Sequence, residues 1–259
     1  MGVVNVTPDS FSDGGDFLDP GRAVEQGLRL VADGADLVDV GGESTRPGSD
    51  PVPVADELAR VLPVVEGLAR EGVLVSIDSR RSAVMRAALD AGASIVNDVT
   101  ALTHDPDALG LVAEAGVPVV LMHMRGEPKT MQQDPVYDDA PADVRDYLAQ
   151  RVAACEAAGI PRERIALDPG IGFGKTVRHN LQILNRLHVY DDLGCAVVVG
   201  VSRKSMIAKL DRDVPPKHRV AGSIAAALQG VRRGAHILRV HDVAETRQAL
   251  ALWRAVEEG

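Results

Sequence analysis

Short apolar runs alternate with longer amphipathic segments along the whole chain. The apolar runs are continuous and rich in Val and Ile, which is typical of strands buried on both faces of a parallel sheet. They occupy Val3–Val6, Asp36–Val40, Val73–Ile77, Ser94–Val96, Val117–Met122, Arg164–Leu167, Ala196–Val201 and Ile237–Val240. Each run is followed by a segment with helical periodicity, and these segments are Arg22–Ala32, Ala55–Arg70, Ser82–Ala91, Asp107–Ala115, Pro141–Ala158, Leu181–Leu187, Val220–Arg232 and Ala244–Glu257.

This alternation predicts one closed barrel. Strands that alternate with helices indicate a parallel sheet. The chain has 259 residues and no linker that divides it, and α/β barrels of about 200–250 residues are routinely a single domain. We therefore predict a single (β/α)8 TIM barrel domain over residues 1–259, rather than an open doubly wound sheet, with an active site at the carboxyl ends of the strands.

Composition and charge exclude several classes of function. Asp and Glu outnumber Lys and Arg by 37 to 28, and the net charge of −9 disfavours a nucleic-acid partner. Aromatic residues are only 3%, which argues against base-stacking modules. No apolar run reaches the roughly 18 residues of a membrane span, so no membrane partner is expected. The two cysteines, Cys155 and Cys195, form no disulfide framework or metal motif and favour a cytoplasmic location.

Unusual polar and Gly/Pro-rich segments follow the predicted strands at their carboxyl ends. In a (β/α)8 barrel the loops at this end carry the chemistry, whereas the turns predicted at the opposite end are short and ordinary. The segments are Asn5–Gly15, Gly41–Gly48, Asp78, Asn97–Asp98, Met122–Met124, Asp168–Lys175, Ser202–Ser205 and Arg239–Asp242.

The residue types in these segments indicate a site for a polar heterocycle and an anion. Two carboxylates and an amide end nearby strands, and together they suit a flat ring with several N–H donors and one carbonyl: Asp78, Asn97 and Asp168. Donors for a phosphate or carboxylate follow other strands, namely Arg46, Lys204, Arg239 and His241.

Other readings of single residues remain open at this point. A carboxylate that ends a strand also suits a helix cap, and we expect Asp98 and Asp242 to be caps or loop supports. We expect His123 to be a buried, hydrogen-bonded histidine rather than a metal ligand. The run Pro169–Thr176 nearly matches the phosphate-binding G-x-x-x-x-G-K-[ST] pattern. Its first residue is proline and no second nucleotide motif accompanies it, so we expect its glycines to allow close approach of backbone to a ligand.

Taken together, the segments resemble one known family. The runs NVTPDSFSDGG, VDVGGESTRPG, SID, ND, LMHM, LDPGIGFGKT, SRKS and RVHDV occur in this order from Gly2 onward and are similar to those of dihydropteroate synthases. The resemblance implies a cytoplasmic, Mg²⁺-dependent transferase of folate biosynthesis that is a homodimer and a target of sulfonamides. Such enzymes join 4-aminobenzoate to (7,8-dihydropterin-6-yl)methyl diphosphate, giving 7,8-dihydropteroate and diphosphate.

The resemblance also implies roles for individual residues. The pterin pocket would comprise Asp78, Asn97, Met122, Asp168, Phe173 and Lys204. Diphosphate would be held by Asn5, Arg46, Arg239 and His241, with Mg²⁺ bound through Asn5. The 4-aminobenzoate site would comprise Phe11, Thr45, Pro47, Phe173, Lys204 and Ser205. Catalytic roles would fall to Asp13, Arg46, Asp78 and Lys204.

Two alternative functions share the pterin pocket. A methyltetrahydrofolate-binding methyltransferase barrel would not need the GGESTRPG and SRKS runs. A noncatalytic pterin-binding paralogue would not need the diphosphate residues Asn5 and Arg46. Family members normally carry residues before NVTPDS, often a hairpin under the barrel, and in this sequence we expect exposed apolar surface at that end.

Overall fold

Eight parallel strands form a single ring of hydrogen-bonded neighbours. The structure is a computed structural model that describes residues 1–7, 19–45 and 48–259. The strands pair in chain order from β1 to β8. Their bounds are β1 Gly2–Asn5, β2 Val38–Gly41, β3 Val75–Asp78, β4 Ile95–Asp98, β5 Val119–Met122, β6 Ile165–Asp168, β7 Ala196–Val199 and β8 Ile237–Leu238.

Backbone hydrogen bonds close the ring between its first and last strands. The Val3 N–H donates to the Val240 carbonyl at 3.0 Å, and the Val240 N–H donates to the Met1 carbonyl at 3.0 Å. Gly2 and Val240 form a parallel bridge directly after β8. The predicted closed (β/α)8 barrel is therefore confirmed.

Helices surround the strands. Those of the described residues are α1 Pro20–Ala32, α2 Val54–Arg70, α3 Ser82–Asp90, α4 Ala108–Ala115, α5 Ala140–Ala157, α6 Val177–Asn185, α7 Ser205–Leu210, α8 Val220–Arg232 and α9 Val243–Glu258. Short 3₁₀ helices span Arg162–Arg164, Leu187–Leu193 and Pro216–His218. No helix in this part of the chain combines the length and apolarity that a membrane span requires.

Alternation along the strands separates an apolar core from a polar interior. Val38 and Val40 of β2 are fully buried and belong to the hydrophobic core, whereas Asp39 between them contacts polar side chains of β4 and of the segment after β8. Successive residues of a strand point to opposite faces. The barrel interior at this level is therefore lined by charge, and the apolar core lies between strands and helices.

Local signals explain where the sequence prediction of the elements was wrong. Helix α6 begins at Val177 rather than at Leu181, because Thr176 caps it: its hydroxyl accepts from the His179 N–H, and the His179 side chain accepts from the Thr176 N–H. Helix α7, Ser205–Leu210, was not among the predicted helices, since six residues are too few to show a clear period. The last strand ends at Leu238 rather than at Val240.

Candidate functional site

A buried charge network joins the carboxyl ends of β2, β3, β4 and β8. Arg239 Nε donates to Asp39 Oδ2 at 2.7 Å, and Arg239 Nη2 donates to Asp78 Oδ2 at 2.8 Å. Asn97 Nδ2 donates to the same Asp39 oxygen at 3.0 Å. The structure thus brings together Asp78, Asn97 and Arg239, which the sequence placed at three separate strand ends.

Asp39 is the residue of this network that the sequence reasoning missed. It is fully buried in the middle of β2, and a search of strand ends passes over that position. The available signal was a lone carboxylate inside a run of valines, because a buried charge requires a partner. Its second oxygen, Oδ1, has no hydrogen-bond partner among the described residues. The network therefore retains an unused acceptor inside the barrel.

Burial sets the protonation of the network in opposite directions for its acid and its base. It raises the pKa of Asp78 to about 7, with Asp39 adding to the rise and Arg239 opposing it. Burial by itself would lower the pKa of Arg239, but the carboxylates of Asp39 and Asp78 outweigh it, and the net pKa lies above the ordinary value. The guanidinium is therefore always charged, whereas Asp78 titrates near neutral pH.

A second group of predicted residues lies at the ends of β5, β6 and β7. Met122 and Asp168 are buried partners in the β5–β6 register, and Asp168 Oδ1 accepts from the Gly170 N–H at 2.7 Å. Burial raises the pKa of Asp168, although the Gly170 N–H and Lys204 oppose the rise. Lys204 Nζ lies 4.0 Å from the centre of the Phe173 ring, which is a cation–π contact.

Lys204 stands between these two groups electrostatically. Burial lowers its pKa to about 8, while Asp168 and Asp78 raise it and Arg239 lowers it further. Its stem lies on Gly172, where a Cβ would come within 3.1 Å of Lys204 Cδ. Gly172 has φ +87°, a backbone conformation that favours glycine. The glycine-rich segment therefore gives Lys204 the space to lie against Phe173.

The resemblance of this segment to a phosphate-binding loop does not extend to its lysine. Lys175 is buried, and its Nζ donates to carbonyls of the loop itself. A phosphate-binding lysine must reach the ligand, so this one is not available to a nucleotide.

His241 and Asn5 flank the network on the side of β8 and β1. Burial lowers the pKa of His241 to about 3, and Arg239 and Arg203 lower it further. Its Nδ1 lies 3.0 Å from the Ser202 hydroxyl. His241 is therefore neutral at pH 7 and suited to an anion as an N–H donor rather than as a charge. Asn5 ends β1, partly exposed, in register with Gly41 of β2.

The residues predicted to bind 4-aminobenzoate are only partly described. Thr45 is partly buried on the segment after β2, and Ser205 is exposed as the first residue of α7. Four other predicted residues lie outside the described part of the chain, namely Phe11, Asp13, Arg46 and Pro47.

A cluster of ion pairs supports the segment that carries Thr45. Arg80 binds Glu43 at 3.2 Å and Glu127 at 2.8 Å. Arg81 binds Glu43 at 3.2 Å and also pairs with Glu57, which is fully buried on α2. The cluster ties the loops after β2, β3 and β5 together, so it fixes the rim of the site.

Two further carboxylates are loop supports, as expected. Asp98 accepts from the backbone N–H groups of Thr100 at 2.7 Å and Leu102 at 2.9 Å. Asp242 binds the guanidinium of Arg203 through both of its oxygens. Neither side chain has its oxygens free for a ligand.

Comparison with known proteins gives a consistent family. The profile of the family described as "Pterin binding enzyme" matches residues 1–241. The dihydropteroate synthase of Escherichia coli K12 is 48% identical over 256 residues, covering 98% of this chain and 90% of that protein. The structure of Xanthomonas albilineans dihydropteroate synthase with 4-aminobenzoic acid has a TM-score of 0.93 and 51% identity, covering 99% of this chain and 92% of the other.

A further structure of the Xanthomonas albilineans enzyme, in complex with 7,8-dihydropteroate, has a TM-score of 0.90 and 49% identity, with 99% and 92% of the two chains covered. These similarities extend over nearly the full length of this chain and of its relatives. The chain belongs to the dihydropteroate synthase family of pterin-binding enzymes.

Proposed function

We propose that the residues described above form the site in which this transferase joins 4-aminobenzoate to (7,8-dihydropterin-6-yl)methyl diphosphate, giving 7,8-dihydropteroate and diphosphate. The observation that carries this assignment is the network of Arg239, Asp39, Asp78 and Asn97 beside Asp168 and Lys204. It offers acceptors for ring N–H groups deep in the barrel and cationic donors next to them.

The dihydropterin would lie against the buried acceptors. Asp78 and Asp168 accept from the N–H groups of the ring, and Lys204 donates to its carbonyl oxygen. Buried Met122 supplies an apolar surface for the ring. A site whose polar groups are buried discriminates strongly, because a ring lacking a matching donor leaves an acceptor unpaired.

The diphosphate would face Arg239 and His241. During reaction the bond between the exocyclic carbon and the diphosphate oxygen breaks, and negative charge collects on the leaving group. Arg239 keeps its charge at every working pH, and His241 donates a neutral N–H. Fixed donors aimed at developing charge are a large source of rate enhancement. Arg46, assigned by resemblance, would add a second guanidinium.

The new carbon–nitrogen bond would form on the opposite face. The dihydropterin ring stabilises positive charge on the exocyclic carbon, and ionised Asp78 lies where it can stabilise that charge further. An aromatic amine is nearly unprotonated at pH 7, so its lone pair attacks without a strong general base. The amine then loses a proton to water, which completes 7,8-dihydropteroate. Asp13 and Phe11 would close this face, as the resemblance implies.

The residues present fit a Mg²⁺ ion that is carried mainly by the substrate. No group of three His, Cys, Asp or Glu side chains in the described residues could hold a metal, and Asn5 offers one amide oxygen at the end of β1. Mg²⁺ usually keeps several waters and binds substrate phosphates with only one or two protein ligands. We assign Asn5 as its protein ligand, and the bound ion would neutralise charge on the diphosphate.

The wider context is also proposed. Residues 1–259 would form one domain, and the chain would work as a cytoplasmic homodimer on small molecules, without a nucleic-acid partner. The buried free thiols Cys155 and Cys195 suit a reducing compartment. The homodimer rests on the family resemblance, and light scattering after size exclusion would test it directly.

Diphosphate release tests the proposed reaction. The purified chain is mixed with the dihydropterin diphosphate and Mg²⁺, with and without 4-aminobenzoate, while dihydropteroate is followed in parallel. We expect release that depends on 4-aminobenzoate and equals product formation. Tight binding of the dihydropterin substrate without release would instead establish a noncatalytic pterin-binding protein.

A further inference from the structure

Lys175 is a buried lysine that the reaction described above does not use. It is only 2% exposed, and its Nζ lies 2.8 Å from Nδ1 of His123. The same Nζ donates to the backbone carbonyls of His123 at 3.2 Å, Gly170 at 3.0 Å and Phe173 at 3.0 Å. None of these four contacts is a carboxylate.

The surroundings of Lys175 leave its head little freedom. Burial lowers the pKa of Lys175 to about 7, and Lys204 lowers it further while Asp168 opposes the fall. Burial and the charge of Lys175 lower the pKa of His123 to about 2, so this imidazole is neutral and its Nδ1 can accept. An ammonium removed from water is stable only when its three N–H donors have partners. The positions of these acceptors therefore determine where the lysine head lies.

The loops after β5 and β6 meet without any side chain between them. A Cβ on Gly170 would lie 1.9 Å from the His123 carbonyl oxygen, and a Cβ on Gly174 would lie 2.4 Å from the Arg125 carbonyl oxygen. Both glycines have positive φ. Lys175 accepts partners on both sides of this seam, because it binds the carbonyls of His123 and of Gly170.

Other side chains hold the remaining carbonyls of the segment. Gln132 Nε2 donates to the Gly172 carbonyl at 2.7 Å, and the Tyr137 hydroxyl donates to the Gly174 carbonyl at 2.8 Å. Lys175 holds the Gly170 and Phe173 carbonyls from the buried side. The segment so fixed is the one that presents the Phe173 ring to Lys204.

We propose that Lys175 is a positioning residue for both substrates: by fastening segment 170–174 to His123, it sets the place of Phe173 and of the N–H that binds Asp168. It touches neither substrate. The inference rests on the proposed function, in which Asp168 accepts from the pterin and Phe173 lies at the junction of the two substrates. Loss of this fastening would move the binding surface and leave the reacting groups intact.

The test is Lys175→Met in the full chain, which keeps the length of the side chain and removes every donor. We expect KM for both substrates to rise at least about tenfold, the effect of losing hydrogen bonds to a charged group, with a much smaller change in kcat. A merely structural role would reduce the fraction of active protein, which lowers kcat at unchanged KM. Unchanged KM values for both substrates would overturn the proposal.

A fluorine signal reports the position of Phe173 without any substrate. The chain has three phenylalanines, so labelling with 4-fluorophenylalanine gives few resonances, and Phe173→Leu identifies the relevant one. Lys175→Met is expected to shift or broaden this resonance selectively. An unmoved resonance would overturn the positioning role even if the wild-type chain proved inactive, which separates this inference from the proposed reaction.

Lys209→Met is the matched control, since Lys209 is exposed on α7, and it is expected to leave KM and the Phe173 resonance unchanged. Should Lys175→Met fail to fold, Lys175→Gln takes its place, because it retains one amide donor on a shorter stem. It is expected to raise both KM values in the same direction by a smaller factor. Wild-type KM values in a folded Lys175→Gln protein would refute the proposal.

Discussion

Asp78 is the residue whose protonation is expected to control activity near neutral pH. Its pKa of about 7 results from burial, so the carboxylate gains a proton as the pH falls through that value. Protonation removes an acceptor for the pterin and the charge that stabilises the cationic carbon. We expect kcat/KM for the dihydropterin substrate to be level above about pH 8 and to fall below about pH 7, as measured by initial rates across that range.

Replacement of the carboxylate tests this assignment. Asp78→Asn is expected to lower kcat/KM by about a hundredfold, the scale of one lost electrostatic group, and to remove the acid limb of the profile. Asp90→Asn, at the exposed end of α3, should keep both rate and profile. An acid limb that persists in Asp78→Asn would assign the titration to another group.

Lys204 is expected to serve both substrates because it lies between the pterin acceptors and the Phe173 ring. Lys204→Ala should weaken binding of the dihydropterin diphosphate and of 4-aminobenzoate by about 10–100-fold each, the range for a hydrogen bond to a charged group. Titration calorimetry with each ligand measures this directly, with Lys209→Ala as the exposed control. Weakening of one ligand alone would place Lys204 at a single subsite.

Residue-scale prediction from the sequence succeeded where chemistry coincides with a strand end. Asp78, Asn97 and Arg239 were named on that basis and lie in one network. Asp39 lies mid-strand, and only the paired geometry reveals that it joins Asn97 to Arg239. The neutral state of His241 also follows from burial, which a sequence does not display.

At the scale of elements, the ion-pair cluster behind the rim links loops that the chain places far apart. Glu57 of α2 accepts from the Ser79 hydroxyl at 2.7 Å and pairs with Arg81. Removing one partner of a buried pair leaves the other charge uncompensated. We expect Glu57→Gln to lower the free energy of unfolding by about 2 kcal/mol, measured by urea denaturation.

The comparison variant is Glu66→Gln on the same helix. Glu66 pairs with Arg70 at 3.0 Å, but both side chains are largely exposed. An exposed pair contributes at most about 0.5 kcal/mol at this spacing, so its loss should be barely measurable. Equal losses in the two variants would show that burial of Glu57 has no special weight.

The order and type of the elements followed from periodicity, whereas their ends depended on local chemistry. The long helices α2 and α5 were predicted to within a residue at each end, because several turns of repeating apolar positions define them. The start of α6 was missed because the Thr176 cap involves a histidine side chain where the usual motif has Glu or Gln.

At the scale of the molecule, net charge and local charge have opposite signs. The chain carries −9 overall, yet its site concentrates Arg239, Lys204 and neutral His241 beside buried carboxylates. Anionic substrates are therefore attracted by a small region and repelled by the rest. Composition alone predicts the repulsion. The attraction required the fold, because these residues come from different strands.

The closure of the ring has a consequence for how activity arises during folding. The backbone of Met1 and Val3 binds that of Val240, and Val240 lies between Arg239 and His241, opposite the strand that ends in Asn5. The proposed diphosphate clamp therefore spans the contact of highest sequence separation in the barrel, and such contacts are slow to form. Catalytic competence is then a late event in biosynthesis: a nascent chain gains it only after its last strand has left the ribosome and met its first.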